Sequence, residues 1–376
     1  MQINRKSGLP SYLQLRNVLR EKIRRMEGGA NLPTIRELMG RHHISQATVE
    51  KALFQLEQEG LVYREQGRGT FVGRKDEKRG EKSPPAGRRM RSDLLGLIVP
   101  TRGISFFADI IFGVEEAAGK NGYHVILCNA NEDPDKEREH VLKLLKRDVS
   151  GLAVVAGKNS HPNSDFFRKI SRRIPLVMMD IFLAGVEADY VTSDDRKGSY
   201  EAVKHLLELG HRKILHLAGP GEDSTENARY EGYKEALLEQ GIELDESLVR
   251  EAGWNHERGY LEMKKFLIAN RNGAVAVFAC NDEVASGAFR AIRERGLKVP
   301  EDVALVGFGN LDIGLLLEVP LTTVDQLSVA MGVKATELLL DRIKGKGGLL
   351  PRKIITPTRL VVRESCGAKL IGVGSA

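Results

Sequence analysis

The stretch that most constrains the fold is residues 31–72, NLPTIRELMGRHHISQATVEKALFQLEQEGLVYREQGRGTFV. Thr34 precedes a short apolar-periodic run and Glu37 follows three residues on, the spacing of a capping box. Ile35, Leu38 and Met39 share one face of that helix. Arg41, His42 and His43 interrupt the pattern. Ser45 then reads as the N-cap of a second helix with apolar positions at Val49, Ala52, Leu53 and Leu56, and Gly60 is expected to stop it. Two β-rich runs follow, residues 61–64 and 70–72, joined by the tight turn Gln66-Gly67-Arg68-Gly69. Helix, turn, helix and hairpin spell a winged helix-turn-helix. Such a motif inserts the first residues of its second helix into the DNA major groove. Here those are Ser45, Gln46, Ala47 and Thr48, small or polar enough to approach base edges. Arg68, between two glycines at the wing tip, is placed to meet a phosphate or the minor groove. The plainer alternative is a small helical domain with a charged surface.

Charge distribution separates the two. The chain carries a formal net charge of +6, yet residues 1–92 alone hold twenty Lys and Arg against ten Asp and Glu, so the remainder is slightly acidic. A basic, patterned end on a near-neutral body points to a nucleic-acid-binding module. Cys128, Cys280 and Cys366 lie far apart and form no metal-binding spacing, so neither metal nor disulfide framework is expected. A reduced, cytoplasmic protein follows. No long apolar run succeeds Met1-Gln2-Ile3-Asn4-Arg5-Lys6, so no signal peptide is expected, and no stretch approaches the roughly 18 apolar residues of a membrane helix.

Along the chain, residues 9–27 predict a first helix before the winged module, which makes residues 1–73 one domain. Residues 74–92, RKDEKRGEKSPPAGRRMRS, break every periodicity and read as a charged linker stiffened by Pro84-Pro85. From residue 93 short apolar runs alternate with helical patterns: strands at 94–99, 123–128, 152–156 and 176–179, helices at 108–121, 136–147 and 164–172. After Asp189-Tyr190-Val191 the series restarts, with strands at 213–217, 249–252, 274–279 and 303–306. Helices fall at 200–209, 227–240, 259–268 and 284–295. The last part predicts a strand at 321–324, a helix over 326–344 and strands within 353–363. Continuous apolar strands indicate parallel sheets buried on both faces. The fold class is therefore α/β: a winged helix-turn-helix followed by a two-lobed, parallel α/β domain over residues 93–366, with 367–376 a tail. Ligands of such sheets bind at the carboxyl ends of the strands.

Two resemblances sharpen this. LPTIREL, SQATVEKAL and GRGTFV, preceded by PSYLQLRNVLREKI, resemble the GntR-type DNA-binding domain in order and spacing. That resemblance implies DNA contacts from Arg36, Ser45, Gln46, Thr48 and Gly67. LLGLIVP, FFADIIFGVEEAAGKNGYHVIL, VTSDDRKGSYEAVKHLLELGHRKILHLAG, ARYEGYKEAL, FACNDEVASGAFRAIRERGLKVPEDVALVGFGN and PLTTVDQ resemble the LacI-type regulator domain, itself similar to periplasmic sugar-binding proteins. A GntR-type head on a LacI-type body is the arrangement of arabinose-repressor-like regulators.

The second resemblance implies an effector site built from Phe106, Phe107, Asp180, Thr225, Arg229, Trp254, Asn281, Asp282 and Gln326. Their chemistry suits a polyol: guanidinium donors, carboxylate acceptors and an indole face for the C–H side of a sugar ring. Trp254 as plain core, or Arg229 as a surface residue, is the alternative for each. Asp194 and Asp195 read as capping or hinge residues. Gly307-Phe308-Gly309-Asn310 stands where the family often has Gly-Phe-Asp-Asp, so the acidic pair is absent and Asn310 is one substitute for it.

The resemblance implies a transcriptional regulator of repressor type, a homodimer on double-stranded operator DNA, controlled by a small effector, a sugar, with no cofactor. Helices near residues 108–119 and 326–340 are the implied dimer elements. A solute-binding protein is the alternative class; it calls for an export signal and no DNA head. An enzyme is disfavoured, because Gly307-Phe308-Gly309 completes no nucleotide fingerprint and no catalytic triad or carboxylate pair is evident.

Overall fold

The computed structural model describes residues 10–23, 26–27, 29–58, 61–65, 69–73, 92–100, 105–157, 161–221, 224–270, 275–346, 348 and 350–368. The chain divides into two compact units, Met1–Met90 and Arg91–Ala376. The expected linker, the tail beyond Ala368, Gly60 and the wing residues Gly67 and Arg68 lie outside the described residues.

The first unit begins with α1 (Ser11–Ile23), which buries Leu15, Leu19 and Ile23. The helix-turn-helix pair is α2 (Ile35–His42) and α3 (Gln46–Gln58). Both halves of the expected capping box form: Thr34 N–H donates to Glu37 Oε2 at 2.8 Å, and Glu37 N–H to Thr34 Oγ1 at 3.3 Å. The Thr34 N–H, and the Thr34 hydroxyl 3.1 Å from Glu37 Oε2, hold the Glu37 carboxyl below its ordinary range. His43 stops α2 in the left-handed region, φ 50°, turning the chain toward α3. The wing pairs β1 (Val62–Glu65) antiparallel to β2 (Gly69–Val72), Val62 opposite Val72. The connector before α2 adds to it: Leu32 N–H donates to Thr70 O and Val72 N–H to Ala30 O. Leu38, Val49, Leu53, Leu56, Val62 and Val72 close one small core with α1.

The second unit opens with β3 (Leu94–Val99), α4 (Ser105–Lys120), β4 (His124–Asn129), α5 (Pro134–Lys146), β5 (Gly151–Val155), α6 (Ser164–Ser171), β6 (Leu176–Met179) and β7 (Asp189–Ser193). The restart then gives α7 (Asp195–Glu208), β8 (Ile214–Ala218), α8 (Ser224–Glu239), β9 (Val249–Glu251), α9 (His256–Ala269), β10 (Val275–Ala279), α10 (Asp282–Glu294), β11 (Val303–Val306) and α11 (Asp312–Leu315). It ends with β12 (Thr323–Asp325), α12 (Ser328–Ile343), β13 (Lys353–Thr356) and β14 (Arg359–Val361).

Two wholly parallel sheets result. The first has order β13-β7-β6-β5-β3-β4 and the second β11-β10-β8-β9. β5, β6, β8, β10 and β11 are buried along their whole length, as their apolar runs require.

The lobes are not simple consecutive halves. β12 and β14 form a separate antiparallel pair, and α12 and β13 return to the first lobe, where α12 packs under β5, β6 and β7. The chain therefore crosses between lobes three times, at 193–195, 325–328 and 356–359. α12 buries Met331, Ala335, Leu338, Leu339 and Ile343 in the first-lobe core. It lies so close to α4 that a Cβ on Gly113 would stand 2.2 Å from Val329 O, and one on Gly332 2.3 Å from Ile110 O.

Candidate functional site

In the head, the residues expected to read DNA stand together at the start of α3. Ser45, Gln46 and Ala47 are exposed and Thr48 half-buried, while Val49, Ala52, Leu53 and Leu56 anchor the opposite face in the core. Thr48 N–H donates to Ser45 Oγ at 3.4 Å, the N-cap relation expected of it, and the two hydroxyl oxygens lie 2.8 Å apart. Gln46 Nε2 donates to Glu50 Oε1 at 2.8 Å, so its amide is held along the helix. Arg36 is exposed in the first turn of α2. The geometry presents a short, polar, exposed helix end, as major-groove insertion requires.

In the second unit a cavity of about 320 Å³ opens at the carboxyl ends of the strands, between the lobes. It lies within the range of small-molecule sites. Eight of the nine expected effector residues line it: Phe106, Phe107, Asp180, Thr225, Arg229, Trp254, Asn281 and Gln326. Pro100, Glu132, Ile181, Asn255, Glu283, Phe308 and Leu311 complete the wall and were not singled out in the sequence.

Each lobe supplies a distinct chemistry. From the first, Phe106 and Phe107 contact edge to face at 5.0 Å, both on the wall. Asp180 follows β6 with a left-handed φ of 64°, and its carbonyl accepts the Tyr190 hydroxyl at 2.7 Å. Sequence places a carboxylate here but cannot show that the backbone must turn left-handed to aim it.

From the second lobe comes Arg229, near-fully buried on α8. Its Nε and Nη2 donate to Asp195 Oδ1 at 2.9 and 2.8 Å, and Nη1 donates to Cys280 O at 2.5 Å. The guanidinium lies over the Phe308 ring, 3.9 Å from ring centre to Cζ, and Trp254 is 5.4 Å away. Burial works against the Arg229 charge, but Asp195 and Asp180 more than offset it and raise its pKa. Burial likewise pushes the Asp195 carboxyl above its ordinary range, opposed by Arg229. The arginine is thus a fixed, flat donor plate. Asn281 caps α10 through Val284 N–H at 2.8 Å and donates to Trp254 O at 3.0 Å, fixing the indole's backbone.

Asp282 is the exception. It is fully buried and does not line the cavity. Its Oδ1 accepts the Thr323 hydroxyl at 2.6 Å and its Oδ2 the Leu311 N–H at 2.7 Å. Both oxygens serve the loop and β12, away from the cavity wall where an effector contact was expected of Asp282. Burial pushes its carboxyl up to about 6. Gly307 is glycine for the same reason, since a Cβ there would meet Asp282 Oδ1 at 2.2 Å. Asn310 does not replace the missing acidic pair, because Arg363 Nη2 holds its Oδ1 at 2.6 Å. Asp194 caps α7 through Lys197 N–H, and Asp195, read as a hinge residue, is the partner of Arg229.

A DNA-reading head joined to a two-lobed small-molecule cavity defines a ligand-responsive DNA-binding regulator. Residues 11–72 match the family model described as bacterial regulatory proteins, gntR family, and residues 203–366 match the periplasmic binding protein-like domain. The chain is 35% identical over 273 residues to the HTH-type transcriptional repressor PurR of Haemophilus influenzae (strain PittEE), covering 72% of this chain and 80% of that protein. Among solved structures it is similar to a transcriptional regulator CelR–cellobiose complex, at 28% identity and TM-score 0.68, covering 88% of this chain and 95% of that one. It is also similar to a LacI family transcriptional regulator from Enterococcus faecium with bound ribose, at 30% identity and TM-score 0.63, covering 72% and 98%. This chain belongs to the family of LacI-type transcriptional repressors and carries a GntR-type head. It is a DNA-binding regulator controlled by a small effector.

Proposed function

We propose that the effector is a neutral sugar held in the interlobe cavity, and that its binding changes operator affinity. The observation that carries this is the pairing of apolar faces with fixed polar groups on one wall. Phe106, Phe107 and Trp254 suit the C–H faces of a ring, while Arg229, Thr225, Asp180 and Gln326 suit its hydroxyls. Cellobiose and ribose in two similar structures support the class.

Arg36, Ser45, Gln46, Ala47, Thr48, Gly67 and Arg68 make the operator contacts in this reading. The protein acts in the cytoplasm, catalyses no reaction and works as a homodimer, because one small head reads only a half-site. Phe112 on α4 and Leu127 on the edge strand β4 are exposed, and these apolar groups favour the α4 side of the first lobe as the dimer face. Among the described residues no helix is long and apolar enough to cross a membrane.

The test is thermal denaturation of the full-length protein with D-ribose, L-arabinose, D-xylose and cellobiose. At least one raises the melting temperature saturably; no shift with any of the four rejects the sugar reading. Sedimentation at micromolar concentration checks the dimer, and a monomer rejects it.

A further inference from the structure

Ser193 stands between two groups of the cavity wall without lining it. It is the last residue of β7, where the chain first crosses between lobes, and is 3% exposed. Gln326 Nε2 donates to Ser193 Oγ at 2.9 Å, and Ser193 Oγ donates to Asp195 Oδ2 at 3.1 Å. The other Asp195 oxygen receives Arg229. Gln326 belongs to the second crossover and Arg229 to α8 of the second lobe. One buried polar path therefore links two crossovers to two cavity-lining side chains.

Proton counting fixes its direction. An ionised carboxylate only accepts, so the single hydroxyl proton of Ser193 goes to Asp195. Its oxygen can then only accept from Gln326, which forces the amide's N–H end toward Ser193. The third crossover is bonded to the first at the residue between Ser193 and Asp195, with Thr358 Oγ1 donating to Asp194 O at 3.3 Å. A shift of the crossovers relative to one another changes the lengths along this path.

We propose that Ser193 is a positioning residue for effector binding: its hydroxyl sets the Gln326 amide directly and the Arg229 guanidinium through Asp195. The inference rests on the reading that the cavity takes a sugar, but only in one arm of its test.

The first arm needs no sugar. Trp254 is the chain's single tryptophan, and its ring lies 5.4 Å from the Arg229 guanidinium carbon. Emission maximum and acrylamide quenching of the full-length protein therefore report on Arg229. Ser193→Ala is expected to shift both, Asp195→Asn to shift them the same way, and Ser193→Thr, which keeps the hydroxyl, to stay with the parent. The second arm is titration with whichever of D-ribose, L-arabinose, D-xylose and cellobiose stabilises the parent most. Ser193→Ala is expected to weaken it about tenfold, the loss of one hydrogen bond to a charged group, and Ser193→Thr less than twofold.

Parent-like tryptophan signals in Ser193→Ala overturn the proposal. So does equal impairment of the Ala and Thr variants, which assigns the effect to packing. If no sugar binds the parent, the sugar reading fails and the tryptophan arm alone decides on Ser193.

Discussion

The Asp282 carboxylate accepts the Thr323 hydroxyl at 2.6 Å, tying the start of α10 to the crossover strand β12. A carboxyl whose folded pKa is near 6, against an ordinary 3.8, binds a proton more readily folded than unfolded. Folding stability due to this group is therefore present below about pH 4 and lost as pH rises through about 6. Asp282→Asn keeps one acceptor and cannot titrate. Stability of the parent relative to this variant is expected to fall between about pH 4 and 6, measured by urea denaturation across that range. A constant difference would show that the group does not titrate there.

Arg229 and Asp195 form an ion pair at 2.8 Å with side chains only 5% and 2% exposed. Removing one partner leaves the other charged and buried, at a cost of about 3–5 kcal/mol. Arg229→Ala is expected to lose effector binding and also to lower the melting temperature of the second unit. The double variant Arg229→Met/Asp195→Leu should recover stability without recovering effector binding. If Arg229→Ala melts like the parent, the pair is not a buried charge pair.

Gly113 and Gly332 let α4 and α12 touch backbone to backbone. Gly113→Ala must separate them, and overpacking of this kind costs about 1–3 kcal/mol. The same shift moves Phe106 and Phe107, which share α4. Denaturant unfolding should show the loss, with weakened effector binding beside it; an unchanged midpoint would contradict the contact.

Much of this architecture was legible in sequence because it rests on local rules. β3, β6 and β11 occur at the residues their apolar runs predicted, and Thr34 and Glu37 form the capping box their spacing announced. Helix starts were missed by a few residues, as at α7, which begins at Asp195 and not Tyr200, because polar first turns carry no apolar period. Asp282 left its expected place on the cavity wall, and Asp195 became the buried partner of Arg229, for a different reason. Where a buried acidic residue points depends on partners forty-one and thirty-four positions away, Thr323 for Asp282 and Arg229 for Asp195. Nothing in the local pattern encodes them. The returns of α12 and β13 to the first lobe were hidden likewise, since a parallel strand reads the same in either sheet.

At the head, Gln46→Ala and Arg36→Ala are expected each to weaken operator binding of the full-length protein. A base contact is worth about 1–3 kcal/mol, so the Gln46 effect should be about tenfold and specific to sequence. Arg36, if it meets phosphate, should weaken all sequences alike and reduce the salt dependence. Anisotropy titrations at two salt concentrations separate the two, and unchanged affinity in both variants would remove α2 and α3 from the interface.

The central claim is that occupancy of the cavity governs the head. Its direct test is the affinity of the full-length protein for DNA selected by that protein from random sequence, with and without saturating sugar from the thermal screen. The account predicts a change of at least about fivefold in operator affinity, the usual floor of such coupling, and its disappearance in Arg229→Ala. Equal operator affinity with and without a sugar that demonstrably binds would contradict it.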